Sequence, residues 1–421
     1  MKKVLIITYL FSQKEAIGSK RMQGLAKFLP EFGWSPTILT SYSKIRPDPR
    51  FRVVETPAND ILAKWKRFLG LNLDKTLKEQ TGLHTYKTKN TLIDRILNMW
   101  EEIFAYPDIN IGWYNHALEA GNKLLEIENF DVIISTSPTS YLIAKELKKK
   151  FGLPWLADLR DLWTQNHYYS YGSFRKIIEK RLELKTFSSA SALTTVSQPL
   201  AEKLKELHIG KNISTITNGF DPDEKANGIP LSDKFCITYT GFLYKGRRDP
   251  APLFNALQQL IIEKVIDPID IVIDFYGYDE GWLKRDIEMY GIQHVVNVHG
   301  LILREEAIKK QRESHLLLLL TWNNPNEKGV YTGKIFDYLA AQRPILSIGI
   351  SGGVVAELLE RTNAGVHVSS VDEIKREIKD AYFEYKSKGK VSYHGITSEI
   401  DKYSQKEMAK KFAELLNGII K

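Results

Sequence analysis

Two short stretches of the 421-residue sequence carry the residue types that phosphate chemistry needs. In the first, YTGFLYKGRRDP, Gly241 and Gly246 flank a loop that presents the adjacent pair Arg247 and Arg248. Two neighbouring guanidinium groups offer permanently charged, bidentate donors for phosphate oxygens, although the same pair could equally be solvated surface arginines. In the second, GVYTGKIFDYLAAQRPIL, a loop enters a predicted helix near Thr332, Gly333 and Lys334. The first N–H groups of a helix lack intrahelical acceptors, Gly333 permits close approach, and Lys334 adds charge, which together describe an anion site. Asp337 follows Gly333 by one turn and is read either as an acceptor for sugar hydroxyls or as an ordinary exposed helix carboxylate.

The commoner cofactor signatures are missing from the sequence. The loop after the first predicted strand, TYLFSQKEAIGSKR, holds Gly18 but no run of glycines, and no Walker-type phosphate loop occurs. There is no paired-histidine metal motif. The single cysteine, Cys236, excludes an internal disulfide and a cysteine-based zinc site. In DLRDLW, Asp158 and Asp161 flank Arg160, a pattern read as a local ion pair in preference to a metal site. No metal and no cofactor are expected, and no general base can be named.

The elements that must position these residues alternate from end to end. Lys3–Thr8, Pro36–Thr40, Asp131–Ser135, Pro154–Ala157 and Ala192–Val196 read as strands, with helical periodicity at Lys20–Glu31, Trp113–Ile127, Ser140–Lys150 and Phe174–Phe187. The strands are near-continuous apolar runs, as expected for a parallel sheet covered on both faces. The rhythm pauses at 221–234, DPDEKANGIPLSDK, which is predicted as a linker. It resumes with Phe235–Tyr239, Asp270–Tyr276, Val295–Val298, Leu316–Thr321, Pro344–Ile348 and Gly365–Val368. The expectation is therefore two doubly wound α/β domains, 1–220 and 235–400. A last helix, 404–421, has no strand after it and is free to pack back on the first domain. In open sheets of this kind ligands bind at the carboxyl ends of the strands, so both candidate stretches fall where a ligand belongs.

Charge is distributed unevenly along the chain. The net charge is +8, yet residues 1–210 hold 31 Lys and Arg against 22 Asp and Glu, and the remainder holds 28 against 29. An excess of this sign suits an anionic surface or a phosphorylated ligand, or is simply a basic surface that aids solubility. Nucleic acid is not expected, because aromatics do not interleave with the basic residues as stacking platforms would. No apolar run reaches the length of a membrane span, which predicts a cytoplasmic protein. In the segment after Asp60, Ile61, Leu62, Trp65, Phe68 and Leu69 share one helical face bordered by Lys64, Lys66 and Arg67. Trp65, Lys66, Arg67 and Phe68 would then dock the protein peripherally on an anionic membrane, or the stripe packs on its own domain.

The order of GFLYKGRRDP, DFYGYDEGW, VHGLILREE, TGKIFDYLAAQRPIL and SGGVVAELL resembles the carboxyl-terminal domain of glycosyltransferase family 4. GSKRMQGLAKFLPEFGWSPTILT, PDINIGWY, DVIISTSPTSYLIAKELKKKFGLPWLADLRDLW and ALTTVSQPLAEKL…ITNGFD are similar to members that build bacterial cell-surface polysaccharides, including lipopolysaccharide. The resemblance covers nearly the whole chain. It implies the GT-B fold, two Rossmann-like domains facing a central cleft, and a retaining transfer of sugar from a UDP- or GDP-linked donor to a lipid-linked or saccharide acceptor. The nucleotide sugar is then a substrate rather than a cofactor.

By position, the resemblance implies that Arg247 or Arg248 and Lys334 hold the donor diphosphate with the amides of Thr332 and Gly333, near Gly241. Gly300 and Leu301 would lie beside the nucleobase, and Asp337 stands where a glutamate holds the ribose. Gly18, Ser19 and Arg21, with Asp158, Arg160 and Asp161, would face the acceptor. Two positions depart from the family pattern: Gly329 replaces a second glutamate, and Phe242 replaces an arginine. A nucleotide-sugar epimerase and an inactive glycosyltransferase-like partner subunit are the alternatives.

Overall fold

The computed structural model describes residues 1–12, 17–61, 105–166, 169, 171–224, 228–244, 246–278 and 281–420. The chain forms two units, Met1–Thr217 with Met408–Lys421, and Asn218–Glu407.

Unit 1 is built on strands β1 (Lys2–Ile7), β2 (Trp34–Ser41), β3 (Arg52–Thr56), β4 (Val132–Ser135), β5 (Trp155–Leu159), β6 (Ala192–Thr195) and β7 (Ile213–Thr215). All pair in parallel, in the order β3-β2-β1-β4-β5-β6-β7, so the strand order reverses between β1 and β4. Helices α1 (Ile17–Phe28), α2 (Tyr114–Ile127), α3 (Pro138–Phe151), α4 (Ser173–Phe187) and α5 (Gln198–Leu207) belong to this unit. Because successive strand residues point to opposite faces, Leu5 and Ile7 of β1 enter one core while Val4 and Ile6 enter another. The carboxyl-terminal helix Gln405–Ile419 completes the second core with Met408, Ala409, Phe412, Ala413 and Leu416, a stripe at helical spacing.

Unit 2 repeats the plan with β8 (Phe235–Thr240), β9 (Ile271–Tyr276), β10 (Val296–Gly300), β11 (Leu316–Leu320), β12 (Ile345–Ile348) and β13 (Gly365–Val368). They form a parallel sheet in the order β10-β9-β8-β11-β12-β13, whose order reverses between β8 and β11. Its helices include α6 (Ala251–Ile262), α7 (Trp282–Met289), α8 (Arg304–Glu313), α9 (Lys334–Ala341), α10 (Val354–Thr362) and α11 (Val371–Lys388). β11 reads LLLLL and is buried throughout: Leu316, Leu318 and Leu320 face one core, and Leu317 and Leu319 face the other.

The sequence reading needs amending in three places. Strands β3 and β7 were not anticipated: RVVET and IST are short, half-buried edge strands without a continuous apolar run. Helix α11, closed by a capping box between Ser370 and Glu373, was also missed. The stretch 221–234, expected as a linker, lies inside unit 2, and the chain crosses between units at Thr217–Asn218 and Glu407–Met408. Backbone bonds from Phe220 N–H to Tyr403 O (3.0 Å) and from Gln405 N–H to Phe220 O (2.7 Å) fasten this early stretch into unit 2.

Candidate functional site

At the carboxyl ends of β8, β9 and β10 the loops are nested by glycines. Gly241 N–H donates to Tyr276 O at 2.6 Å, and Gly277 N–H donates to Gly300 O at 2.9 Å. A Cβ on Gly277 would lie 2.2 Å from the Gly241 carbonyl oxygen, so a side chain there would push the two loops apart. Gly241 itself has φ 118°, in the region that favours glycine, and a Cβ on it would lie 2.3 Å from Cε of Lys334. The lysine side chain therefore runs directly over the glycine.

Lys334 is the first residue of α9, and Gly333 is the cap before it. Its Nζ donates to the Tyr239 hydroxyl at 2.6 Å and lies 4.1 Å from the centre of that ring. The Tyr239 hydroxyl in turn donates to Phe242 O at 2.7 Å. Burial, and then the charge of Arg248, push the Lys334 pKa well below the usual lysine range. Among the described residues no carboxylate pairs with Lys334.

The arginine loop beside it is supported by aromatic rings. The Arg247 guanidinium lies over Trp322 at 4.9 Å, and that of Arg248 over Tyr244 at 4.7 Å. Arg248 Nη1 reaches Phe242 O at 3.4 Å, while its Nε is buried without a hydrogen-bond partner. Phe242 stacks on Tyr278 with centroids 4.9 Å apart, and Tyr244 packs against Trp322 at 5.6 Å. Phe242, at the position where the sequence shows no arginine, is thus part of an aromatic wall around the two that follow. Trp322 and Tyr278 were not singled out from the sequence. The signal was their place just past the ends of β11 and β9.

Asp337 lies one turn into α9 and accepts from Arg304 Nη2 at 3.2 Å. Arg304, which opens α8, also forks onto Glu224 through two bonds of 2.8 Å. Neither Arg304 nor Glu224 was expected at the site, and both come from segments remote in sequence from Asp337. Gly300, with φ 79°, ends β10 at a break in register, and Leu301 beyond it is exposed. Thr332 is buried, and its carbonyl accepts from Ile335 N–H at 3.1 Å, closing the turn that starts α9. Gly329 is buried in the loop before that turn.

Unit 1 divides its expected residues into two groups. Arg21 and Asp158 form a buried fork, Nε to Oδ2 and Nη2 to Oδ1 both at 2.8 Å, with side chains 2% and 0% exposed. Arg21 also donates to Thr217 O and Ile216 O, and Thr194 Oγ1 donates to Asp158 at 2.7 Å. The expectation that both face an acceptor is therefore corrected: they are interior groups that tie α1, β5, β6 and the end of the first pass together. Ser19 is likewise fully buried. Gly18, Arg160 and Asp161 do come together near the surface. Arg160 pairs with Asp161, its Nη1 is buried without a partner, and that nitrogen lies 3.2 Å from where a Gly18 Cβ would be.

Among the described residues no cluster of three or more His, Cys, Asp or Glu could hold a metal ion, and no helix is long and apolar enough to cross a membrane. Trp65, Lys66, Arg67 and Phe68, expected to touch a membrane, lie outside the described residues.

Residues 101–224 match the model of Glycosyltransferase Family 4. No curated protein matches the chain. Solved structures share the whole architecture at low identity. Sucrose-phosphate synthase from Thermosynechococcus elongatus aligns with TM-score 0.65 and 12% identity over 100% of this chain and 99% of its own. HepE of Anabaena, solved with UDP and glucose, aligns with TM-score 0.61 and 12% identity over 99% of this chain and 100% of its own. WaaG, a glycosyltransferase involved in lipopolysaccharide biosynthesis, aligns with TM-score 0.57 and 12% identity over 99% and 100%. Residues 101–224 are therefore similar to Glycosyltransferase Family 4, and the chain shares the GT-B fold of these solved structures.

Proposed function

We propose that this chain, with its similarity to family 4 and its GT-B fold, is a nucleotide-sugar-dependent glycosyltransferase whose donor diphosphate binds in unit 2. The observation that carries the reading is the pair Lys334 and Arg248. Burial and mutual repulsion raise the energy of the charged lysine, and no carboxylate among the described residues offsets it. An anion in the same place relieves both costs, which is the usual reason for such an arrangement at a functional site.

In the transfer, an acceptor hydroxyl oxygen bonds to the anomeric carbon, the bond from that carbon to the diphosphate oxygen breaks, and the nucleoside diphosphate leaves with the electron pair. The hydroxyl proton passes to the departing diphosphate. Negative charge grows on the departing diphosphate, and Lys334, Arg247, Arg248 and the first amides of α9 are cations and dipoles fixed in advance to stabilise it. Asp337, steadied by Arg304, is suited to accept from the ribose hydroxyls, and Gly300 and Leu301 border the space for the base. UDP is the first nucleotide to test, since HepE was solved with it. Gly18, Arg160 and Asp161 are the acceptor-side candidates. The acceptor class we favour is a lipid-linked or saccharide glycan of surface-polysaccharide synthesis, with retention of configuration, in keeping with the family resemblance. Gly329, where the family pattern has a glutamate, favours a second reading, an inactive partner that binds donor without turning it over.

The test is a thermal-shift screen against nucleoside diphosphates and nucleotide sugars, followed by donor-turnover assays. A ligand at 100-fold its dissociation constant adds about 2.7 kcal/mol of stability. Stabilisation with turnover to a glycan supports the enzyme, stabilisation without turnover supports the inactive partner, and no stabilisation by any nucleotide rejects the donor site.

A further inference from the structure

The arginine loop of unit 2 stands against a run of four aromatic side chains, none of which binding of a diphosphate uses. Phe242 and Tyr278 stack with centroids 4.9 Å apart and planes 26° from parallel. Phe242 meets Tyr244 edge-on at 6.0 Å, and Tyr244 meets Trp322 at 5.6 Å. The rings follow the ends of β8, β9 and β11, three segments that only the fold brings together. Phe242, Tyr244 and Tyr278 are 40%, 39% and 46% exposed. A contiguous aromatic surface held in water at strand ends marks a place of contact. Two of the rings already support cations: Arg247 lies over Trp322 and Arg248 over Tyr244. Stacking of this kind uses the face of a guanidinium, and its N–H donors lie at the edge, where phosphate oxygens can meet them. Among the described residues no cation lies over Phe242.

Phe242 follows Gly241, the glycine over which the Lys334 side chain runs, so its ring stands one residue from the cations assigned to the diphosphate. In a nucleotide sugar the group joined directly to the diphosphate, on the side away from the nucleoside, is the sugar. We infer that Phe242, backed by Tyr278, is the platform on which the pyranose ring of the donor stacks. A pyranose carries its hydroxyls around its rim and polarised C–H bonds on its faces, and such a face suits the negative face of an aromatic ring. The base is the other flat group of the donor, but the ribose separates it from the diphosphate, and the ribose candidate Asp337 is held by Arg304 and not by these rings. The family resemblance puts an arginine at position 242, so the platform is a feature of this chain. The inference rests on the donor reading above and adds to it the residue that recognises the sugar.

The test is calorimetric titration of the full chain with UDP, UDP-glucose, UDP-galactose and UDP-N-acetylglucosamine, and with GDP and GDP-mannose. Two variants accompany the wild type: Phe242→Leu keeps apolar bulk without a ring, and Phe242→Tyr keeps the ring. The side chain is exposed, and circular dichroism and melting verify that each variant folds. The quantity read is the affinity for each nucleotide sugar divided by that for its nucleoside diphosphate, which cancels the contacts of the nucleotide. For the sugar that the wild type binds best, this ratio is expected to fall about fivefold in Phe242→Leu, the worth of one aromatic stack, and to hold in Phe242→Tyr. UDP or GDP alone is expected to bind all three proteins alike. A ratio unchanged in folded Phe242→Leu overturns the inference and leaves the donor site standing. Equal losses for diphosphate and nucleotide sugar also overturn it, because the ring then touches the nucleotide. A wild type that binds none of the six ligands rejects the donor reading itself, and the platform with it.

Discussion

Arg21 in unit 1 and Lys334 in unit 2 are both cations in the helix that precedes or follows a central strand of a parallel sheet, and they are held in opposite ways. Arg21 is matched atom by atom: it forks onto Asp158, donates to two carbonyls, and lies over Phe412 at 5.1 Å. Lys334 has a phenol and its ring for company, and the charge that acts on it is the like charge of Arg248. A buried cation that is fully paired holds a fold together; a half-buried one with no counter-charge, beside another cation, lowers stability unless an anion joins it. Under the proposed donor site, the difference is that between structural and ligand-directed charge.

The largest expected effect is on the paired side. Asp158→Ala strands the Arg21 charge in the interior and should cost about 3–5 kcal/mol in urea unfolding. The double replacement Arg21→Met with Asp158→Leu should recover much of that loss, because an apolar pair of similar size avoids the desolvation cost. If Asp158→Ala melts like the wild type, Arg21 is not the committed cation described here.

A smaller effect is expected at Asp337. Asp337→Ala should weaken nucleoside-diphosphate affinity by about 1–2 kcal/mol, the worth of hydrogen bonds to one carboxylate, with melting little changed. Arg304→Ala should lose part of the same affinity, since it removes the group that steadies Asp337. Calorimetric titration of both variants distinguishes this from a surface carboxylate, for which affinity would be unchanged.

The smallest effect is a pH dependence. The Lys334 pKa is lowered on folding, so between its folded value and the ordinary ~10.4 of an unfolded lysine the unfolded chain binds more protons. The cost of burying the charge is complete below that window and disappears above it, so this residue makes stability rise with pH through the window. Comparing wild type with Lys334→Met below the range in which tyrosines titrate measures the contribution, because Tyr239, bonded to Lys334, is protonated there in both proteins. The stability difference between them should narrow as pH rises; a constant difference would deny the shift.

Much of the architecture was legible because β1, β4, β8 and β11 are near-continuous apolar runs, the mark of strands covered on both faces. RVVET and IST escaped because an edge strand buries too little to write that pattern. At the candidate site, the helix start in GKIFD and the arginine pair in KGRRDP could be placed past strand ends because both are local in sequence. Glu224 and Arg304 could not, since only the fold brings them to Asp337, and Tyr278 and Trp322 had no signal beyond their place past a strand end. For Arg21 and Asp158 the residue types were plain and their burial was not, because the pairing spans 137 positions. Helix α4 shows the same limit: hydrophobic periodicity would turn Phe174 and Ile177 inward, and it is Trp163, Thr164 and Arg175 that hold Glu179 and Glu183 there instead.

The most direct measurement is calorimetric titration of wild type, Lys334→Met and Arg248→Gln with UDP and GDP. An unpaired cation that awaits a diphosphate predicts that the wild type binds at least one of the two, that each variant binds it at least tenfold more weakly, as the ~1.5–3 kcal/mol of a charge-assisted hydrogen bond requires, and that Lys334→Met melts no lower than wild type. Equal affinity in all three proteins, or a Lys334→Met variant that is destabilised while still binding nucleotide normally, would show that Lys334 is a structural cation like Arg21 and contradict the account.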